Sequence, residues 1–376
     1  MKKDKNTSDP LVPETLEDIA EEENFHGDDL TQGHQPGQAA GVILNGIFFT
    51  LAIAALALWG ETSAFRTAAI TFVAIVLEAV PFVLVGSIAG GLVEEFVSRE
   101  RLSRIFPQGK AGVLLAAILG MAMPVCECAV VPIVRRLLSK GVPPGAAVTY
   151  LLAGPIVNPV VFLSTGVAYS MNWSVALLRL ALGYTIGAAV GLLVNTVFGS
   201  DPRKITLSGN EGRCLPNISC SCHHEHEAPL HDCPRNLQGR LWTALGHGAD
   251  DFLEAGKYFI MGAFLAAVIN TVLPRPVIAD FVHSPASGIG SAMMLAVGLN
   301  LCSDADAFIA VSMRSVWALS AQMAFMLLGP MLDIKLLFMY RSVFRGRFMI
   351  FMTVAILTSV LCVATALHFF GGGHRG

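Results

Sequence analysis

From Ala68 to Val93 the chain carries one charged residue, Glu78, over a distance greater than the roughly 20 residues that an α-helix needs to cross a hydrocarbon core. Stretches of similar character lie at 40–59, 146–168, 174–199, 247–273, 316–340 and 347–370, so that with 68–97 there are seven candidate spans. A water-soluble fold is excluded by the same observation. With 54% apolar and 14% charged residues, such a fold would have to bury more apolar surface than a chain of this length can enclose. The expected class is an all-α polytopic membrane protein. Two more apolar stretches, 112–139 and 286–314, are interrupted by polar or Pro-containing motifs.

The flanks differ in kind. Residues 1–38 hold ten acids and three lysines with little apolar content, a composition that cannot build a core, and read as a disordered acidic cytoplasmic tail. They lack the pattern of a signal peptide. The expected layout is a first transmembrane half over 39–199, a cytoplasmic loop over 200–245, a second half over 246–371 and a short tail over 372–376. Charge is close to balance, which gives no reason to expect a nucleic-acid partner. The expected surroundings are a lipid bilayer of the bacterial inner-membrane type, with a homo-oligomer possible.

The two halves are related. VLEAVPFVLVGSIAGGLVEEF (76–96) lies over FLEAGKYFIMGAFLAAVINTV (252–272) at an offset of 176, pairing Glu78 with Glu254 and Gly86 with Gly262. GMAMPVCECAVVP (120–132) lies over GLNLCSDADAFIA (298–310) at an offset of 178, placing Cys126 on Asp304 and Cys128 on Asp306. LLAGPIVNPVVFL (151–163) lies over MLLGPMLDIKLLF (326–338) at an offset of 175, pairing Gly154 with Gly329 and Asn158 with Asp333. Three matches in one order at a nearly constant offset are the mark of an internal repeat. Repeats of this kind in membrane proteins place a site between the halves, where helices are interrupted.

Basic residues indicate orientation, because short cytoplasmic loops are enriched in Lys and Arg. Arg99, Arg101, Arg104 and Lys110 precede the PVCECAVVP segment and Arg135, Arg136 and Lys140 follow it, so both its ends read as cytoplasmic. It is then a re-entrant hairpin of half-helices near 112–123 and 129–139. Lys335, Arg341, Arg345 and Arg347, counted as a last cytoplasmic loop, give the second half the opposite sense. The expected architecture is an inverted repeat with two re-entrant hairpins, broken helices at mid-membrane depth and a cytoplasmic N-terminus. Arg179, near an outer end, fits this less well, and a parallel arrangement of eight or nine full spans is the alternative.

Ionisable groups inside a bilayer are costly and mark pathways. Here they coincide with the breaks. The candidate substrate-binding residues are Cys126, Glu127 and Cys128 on the first hairpin, Ser303, Asp304 and Asp306 beside Cys302 on the second, and Asn158 and Asp333 on the interrupted helices. Glu78 and Glu254 are candidates for a pathway or coupling role, with an internal ion pair, such as Glu254 with Lys257, as the competing reading. Thiolates select soft or borderline ions such as Cu(I), Zn(II) or trivalent arsenic, whereas carboxylates take harder cations or protons. Thiols on one hairpin and carboxylates on the other would suit a proton-coupled exchanger. The simpler reading is that Cys126 and Cys128 are small residues that permit close helix approach.

Between Cys214 and Cys233 the loop reads CLPNISCSCHHEHEAPLHDC. Cys214, Cys220, Cys222, His223, His224, His226, His231 and Cys233 offer more ligands than the four of a zinc site, in no zinc-finger spacing. A flexible segment that captures or senses Zn or Cu is expected; no tightly bound cofactor is.

Through Pro124-Val125-Cys126-Glu127-Cys128, Gly154-Pro155-Ile156-Val157-Asn158-Pro159 and Leu301-Cys302-Ser303-Asp304-Ala305-Asp306-Ala307, residues 65–370, without most of the 200–245 loop, resemble the YraQ/ArsP-like predicted permeases. That resemblance implies an integral permease exporting a toxic metal or metalloid, and the Cys/His loop is closer to the metal-efflux branch than to the arsenical one. No G-x-x-x-x-G-K-[ST] loop is present to bind ATP. A secondary permease is the expected function, not an enzyme. A permease for a small organic or sulfur-containing solute is the alternative. An intramembrane thiol–disulfide enzyme is disfavoured by the C-x-C spacing.

Overall fold

In a computed structural model, residues 62–122, 125–199, 201–206, 237–272, 285–299 and 301–370 are described, and all of them are helical or in short connections. The acidic tail, the candidate span 40–59, Pro124, the eight Cys and His residues from Cys214 to Cys233, and the tail 372–376 lie outside the described residues.

The first half runs α1 (Ser63–Phe96), α2 (Arg99–Ile105), α3 (Lys110–Ala122), α4 (Glu127–Ser139), α5 (Pro144–Ala153), α6 (Pro159–Ala168) and α7 (Trp173–Phe198). The second runs α8 (Leu237–Val272), α9 (Pro285–Leu299), α10 (Asp306–Ser312), α11 (Leu319–Leu328), α12 (Ile334–Val343) and α13 (Gly346–Phe370). Apart from the short α2, the order is the same in both: a long helix, four short ones in two broken pairs, and a long helix.

Among the described residues four helices are long and apolar enough to cross a membrane: α1, α7, α8 and α13. The stretches 146–168 and 316–340 are corrected from single spans to pairs of ten-residue helices. The cause is local. Gly154 and Gly329 close α5 and α11 by donating to Tyr150 O and Phe325 O, and each is followed by a proline, which has no amide to continue the ladder. The chain restarts only where a side chain caps the next helix: Asn158 Oδ1 accepts from Val160 N at 2.9 Å, and Asp333 Oδ1 from Leu336 N at 2.6 Å.

Of the broken helices α5 and α11 form the interior, and of the long ones α1 is the most exposed. Every residue of α5 is buried, and so is α11 from Ser320 to Leu328. In the most apolar window of α1 only 17% of residues are buried, and Ile70, Leu77 and Val85 stand exposed in the orientation of lipid-facing side chains.

Small residues bring the layers together, since apolar attraction alone does not hold helices in a lipid environment. A Cβ on Gly91 would lie 2.2 Å from Ala244 O, so α1 and α8 meet almost backbone to backbone. Gly183, Gly187 and Gly191, one turn apart on α7, take Ile156, Ala153 and Thr149 in the same manner. One end of α1 is also secured by a cation. Lys140 Nζ donates to the carbonyls of Val93, Glu94 and Val97 at the end of the helix, sharing Val93 O with the amide of Val97.

Candidate functional site

The helices that restart after the breaks carry the polar residues to one place. Cys126 is the N-cap of α4, with Glu127 and Cys128 in its first turn. Asn158 is the N-cap of α6. Cys302, Ser303 and Asp304 occupy the turn before α10, and Lys335 is the second residue of α12. Together with Glu78 from α1 these residues line a cavity of about 160 Å³, whose apolar wall includes Ile75, Phe82 and Val160. Two repeat partners therefore face the same space, Cys126 and Asp304, separated in sequence by an offset of 178.

Within the cavity the groups are paired across the halves. Lys335 Nζ lies 3.2 Å from Glu127 Oε1 and 3.2 Å from Asp333 Oδ2, with side-chain exposures of 4%, 2% and 0% respectively. The pair with Glu127 is also hydrogen-bonded. The second carboxylate oxygen of Glu127 and Oδ1 of Asp304 are buried with no hydrogen-bond partner. Cys126 and Cys128 are within hydrogen-bonding reach of each other, and the Cys302 thiol meets the Glu78 carboxylate. All three are free thiols. Among the described residues, no three His, Cys, Asp or Glu side chains stand close enough together to hold a metal ion.

The remaining sequence candidates lie elsewhere. Asp333 is fully buried beside the cavity, one oxygen capping α12 and the other facing Lys335. Asp306 is 2% exposed and faces away, 3.9 Å from Arg179 Nη2. The guanidinium is held by Thr165 Oγ1 at 2.8 Å, Ser303 O at 2.9 Å and Met326 O at 3.1 Å, so one side chain of α7 braces the second break. Gly329 makes this possible, since a Cβ there would sit 2.7 Å from Asp306 Oδ2. Glu254, matched to Glu78 by the repeat, pairs instead with Arg135 at 2.6 Å, in a cluster where Asp251 takes Arg136 at 2.5 Å. That cluster ties α4 to α8 away from the cavity. The Cys/His loop residues lie outside the described residues and cannot be placed against it.

Two residues were missed by sequence reasoning. Lys335 was counted as a loop cation, yet it is buried in the cavity; the signal was its position two residues after Asp333 in the break, over Val160 in the repeat. Arg179, read from the sequence only as a charge near an outer end, is the basic neighbour of Asp306. The signal is that a charge inside a bilayer pairs internally, which for Arg179 leaves a carboxylate on a break as its partner.

The comparisons with known proteins agree with a membrane permease. A family model described as a predicted permease matches residues 64–369. The UPF0718 protein YcgR of Bacillus subtilis (strain 168) is 36% identical over 291 residues, covering 77% of this chain and 93% of that protein. A Streptococcus mutans protein named "Putative two-component membrane permease complex subunit" is 32% identical over 281 residues, covering 74% of this chain and 87% of that one. No solved structure matches the chain. With its helical architecture and four apolar helices of spanning length, the chain is a multi-pass membrane protein belonging to this predicted permease family.

Proposed function

We propose that the protein is a secondary permease that exports a soft metal ion or a metalloid through the cavity between its halves. The observation that carries this reading is the arrival of Cys126 and Cys128 from one half and Cys302 from the other at a single cavity that also holds Glu78, Glu127 and Asp304. Thiols favour a soft cargo, and carboxylates supply counter-charge or proton coupling.

In this reading the pairs α3/α4 and α9/α10 are re-entrant and the halves are inverted, so that rocking of one against the other exposes the cavity to alternate sides. The N-terminal side is cytoplasmic. The positions of the basic segments support that assignment: Arg345 donates to Ile205 O and Thr206 O, and Arg240 pairs with Glu95, so segments expected on one side do meet. The loop 214–233 would capture cargo at that face. The name of the Streptococcus mutans relative raises a two-component assembly, and a partner subunit is part of the proposal for this chain as well.

The test is metal accumulation in cells expressing the wild type, Cys126→Ser/Cys128→Ser, and a variant lacking residues 214–233, challenged with zinc, copper, cadmium and arsenicals. The wild type should lower accumulation of one soft species and the double variant should not. Unchanged export by the double variant would overturn the thiol site, and indifference to every species would favour an organic solute.

A further inference from the structure

The cavity contains its own cation. Among the described residues that line it, Lys335 is the one basic side chain, facing carboxylates at Glu78, Glu127 and Asp304. Its ammonium is buried between Glu127 of the first half and Asp333 of the second, at 3.2 Å from each. The root of the side chain is immobilised: a Cβ on Gly262 of α8 would lie 2.7 Å from Lys335 Cα, so α12 is seated against α8 at this residue. The four-carbon stem beyond it is flexible and ends in a compact point charge. Arg179, the other buried cation at a break, is different in kind, because its planar fork is tied to two carbonyls and a hydroxyl. Of the two, Lys335 is the cation built to move.

A carboxylate buried in an apolar layer is expensive without a partner and cannot readily be carried bare through a conformational change. Glu127 is 2% exposed, and one of its oxygens has no hydrogen-bond partner. A cationic cargo that binds Glu127 competes with the Lys335 ammonium for the same buried carboxylate, and two like charges drawn to one partly paired group in a low-dielectric site repel each other.

We propose that Lys335 is a tethered counter-cation, neutralising Glu127 while the cavity is empty and exchanging with a cationic cargo when it binds. This rests on the transport reading above. The consequence is kinetic. The empty carrier can return across the membrane because Lys335 fills the site, whereas the loaded carrier does not need it.

The test separates the two movements in proteoliposomes, with Cd²⁺, Zn²⁺ and an uncharged trivalent arsenical as probes. In Lys335→Gln, net efflux of the cation should fall by roughly a hundredfold, the scale set by leaving one buried charge unpaired, while cation-for-cation exchange falls by less than about threefold. The double variant Glu127→Gln/Lys335→Gln should recover net movement relative to Lys335→Gln alone. Wild-type net efflux in Lys335→Gln would overturn the proposal. Equal loss of net efflux and exchange in a variant that remains monodisperse would also overturn it, by reducing Lys335 to a structural ion pair. If the wild type moves only the uncharged arsenical, the counter-cation is overturned while transport stands; if it moves no probe in either mode, the transport reading fails with it.

Discussion

Replacing Arg179 by Met should destabilise the protein severely, and replacing Asp306 by Leu in the same chain should repair much of the damage. Both side chains are almost wholly buried, at 1% and 3% exposure. Removing the guanidinium strands the Asp306 carboxylate and takes the donor from Ser303 O and Met326 O. Breaking a buried ion pair from one side costs about 3–5 kcal/mol, and replacing both members with apolar residues of similar size is often neutral. A loss of about 4 kcal/mol is roughly a thousandfold in the folding equilibrium. In the double variant the bonds to Thr165 Oγ1, Ser303 O and Met326 O stay lost, at about 0.5–1 kcal/mol each, while the stranded charge is gone. Unfolding by SDS from mixed micelles, followed by tryptophan fluorescence, gives the comparison, with buried Trp317 as reporter. A single variant within about 1 kcal/mol of wild type would refute the bracing role. A double variant no better than the single would refute the pairing with Asp306.

Two more consequences concern packing and helix ends. Gly86→Ala sets a Cβ 2.4 Å from Ala129 O on α4, and overpacking of this order costs about 1–3 kcal/mol, so the thermal midpoint should fall and maleimide labelling of Cys126 should change with the displaced helix; an unchanged midpoint would mean that the approach of α1 to α4 is looser than described. Lys140→Met removes the donor from three carbonyls at the end of α1, and should cost about 1 kcal/mol, because the ammonium is partly solvated. Faster hydrogen exchange in the last turn of α1, with the rest of the chain unchanged, is the expected observation.

What could be read from the sequence is what the repeat aligns. That Asn158 and Asp333 sit on interrupted helices followed from the repeat, although the signals that stop and restart those helices, a Gly-Pro pair and a capping side chain, are local ones that the hydropathy windows over 146–168 and 316–340 do not register. The gathering of Cys126, Glu127 and Asp304 at one place followed from the repeat that aligns them. The pairings across the halves were not visible, because Lys335 finds Glu127 and Arg179 finds Asp306 only after the halves are packed. The repeat itself misleads at Glu254. It shares a register with Glu78, but α4 continues through Arg135 and Arg136 to Ser139 where the shorter α10 stops at Ser312, so its surroundings differ. Counting seven apolar windows also overstated the number of continuous helices, since hydropathy does not register a break that is itself apolar, as at Gly154 to Val157.

The restarting helices have an electrical consequence. α4, α6 and α12 all begin at the cavity, and the start of a helix carries about half a positive elementary charge from its aligned peptide dipoles. Three such ends contribute roughly +1.5. By formal charge, Glu78, Glu127, Asp304 and Asp333 with Lys335 sum to −4 + 1 = −3. The deficit that remains is about 1.5 charges, which a single small cation nearly closes. Peptide groups that lost their partners when the helices were interrupted thus temper an otherwise strongly acidic chamber, and a site of this polarity would hold a cation without trapping it.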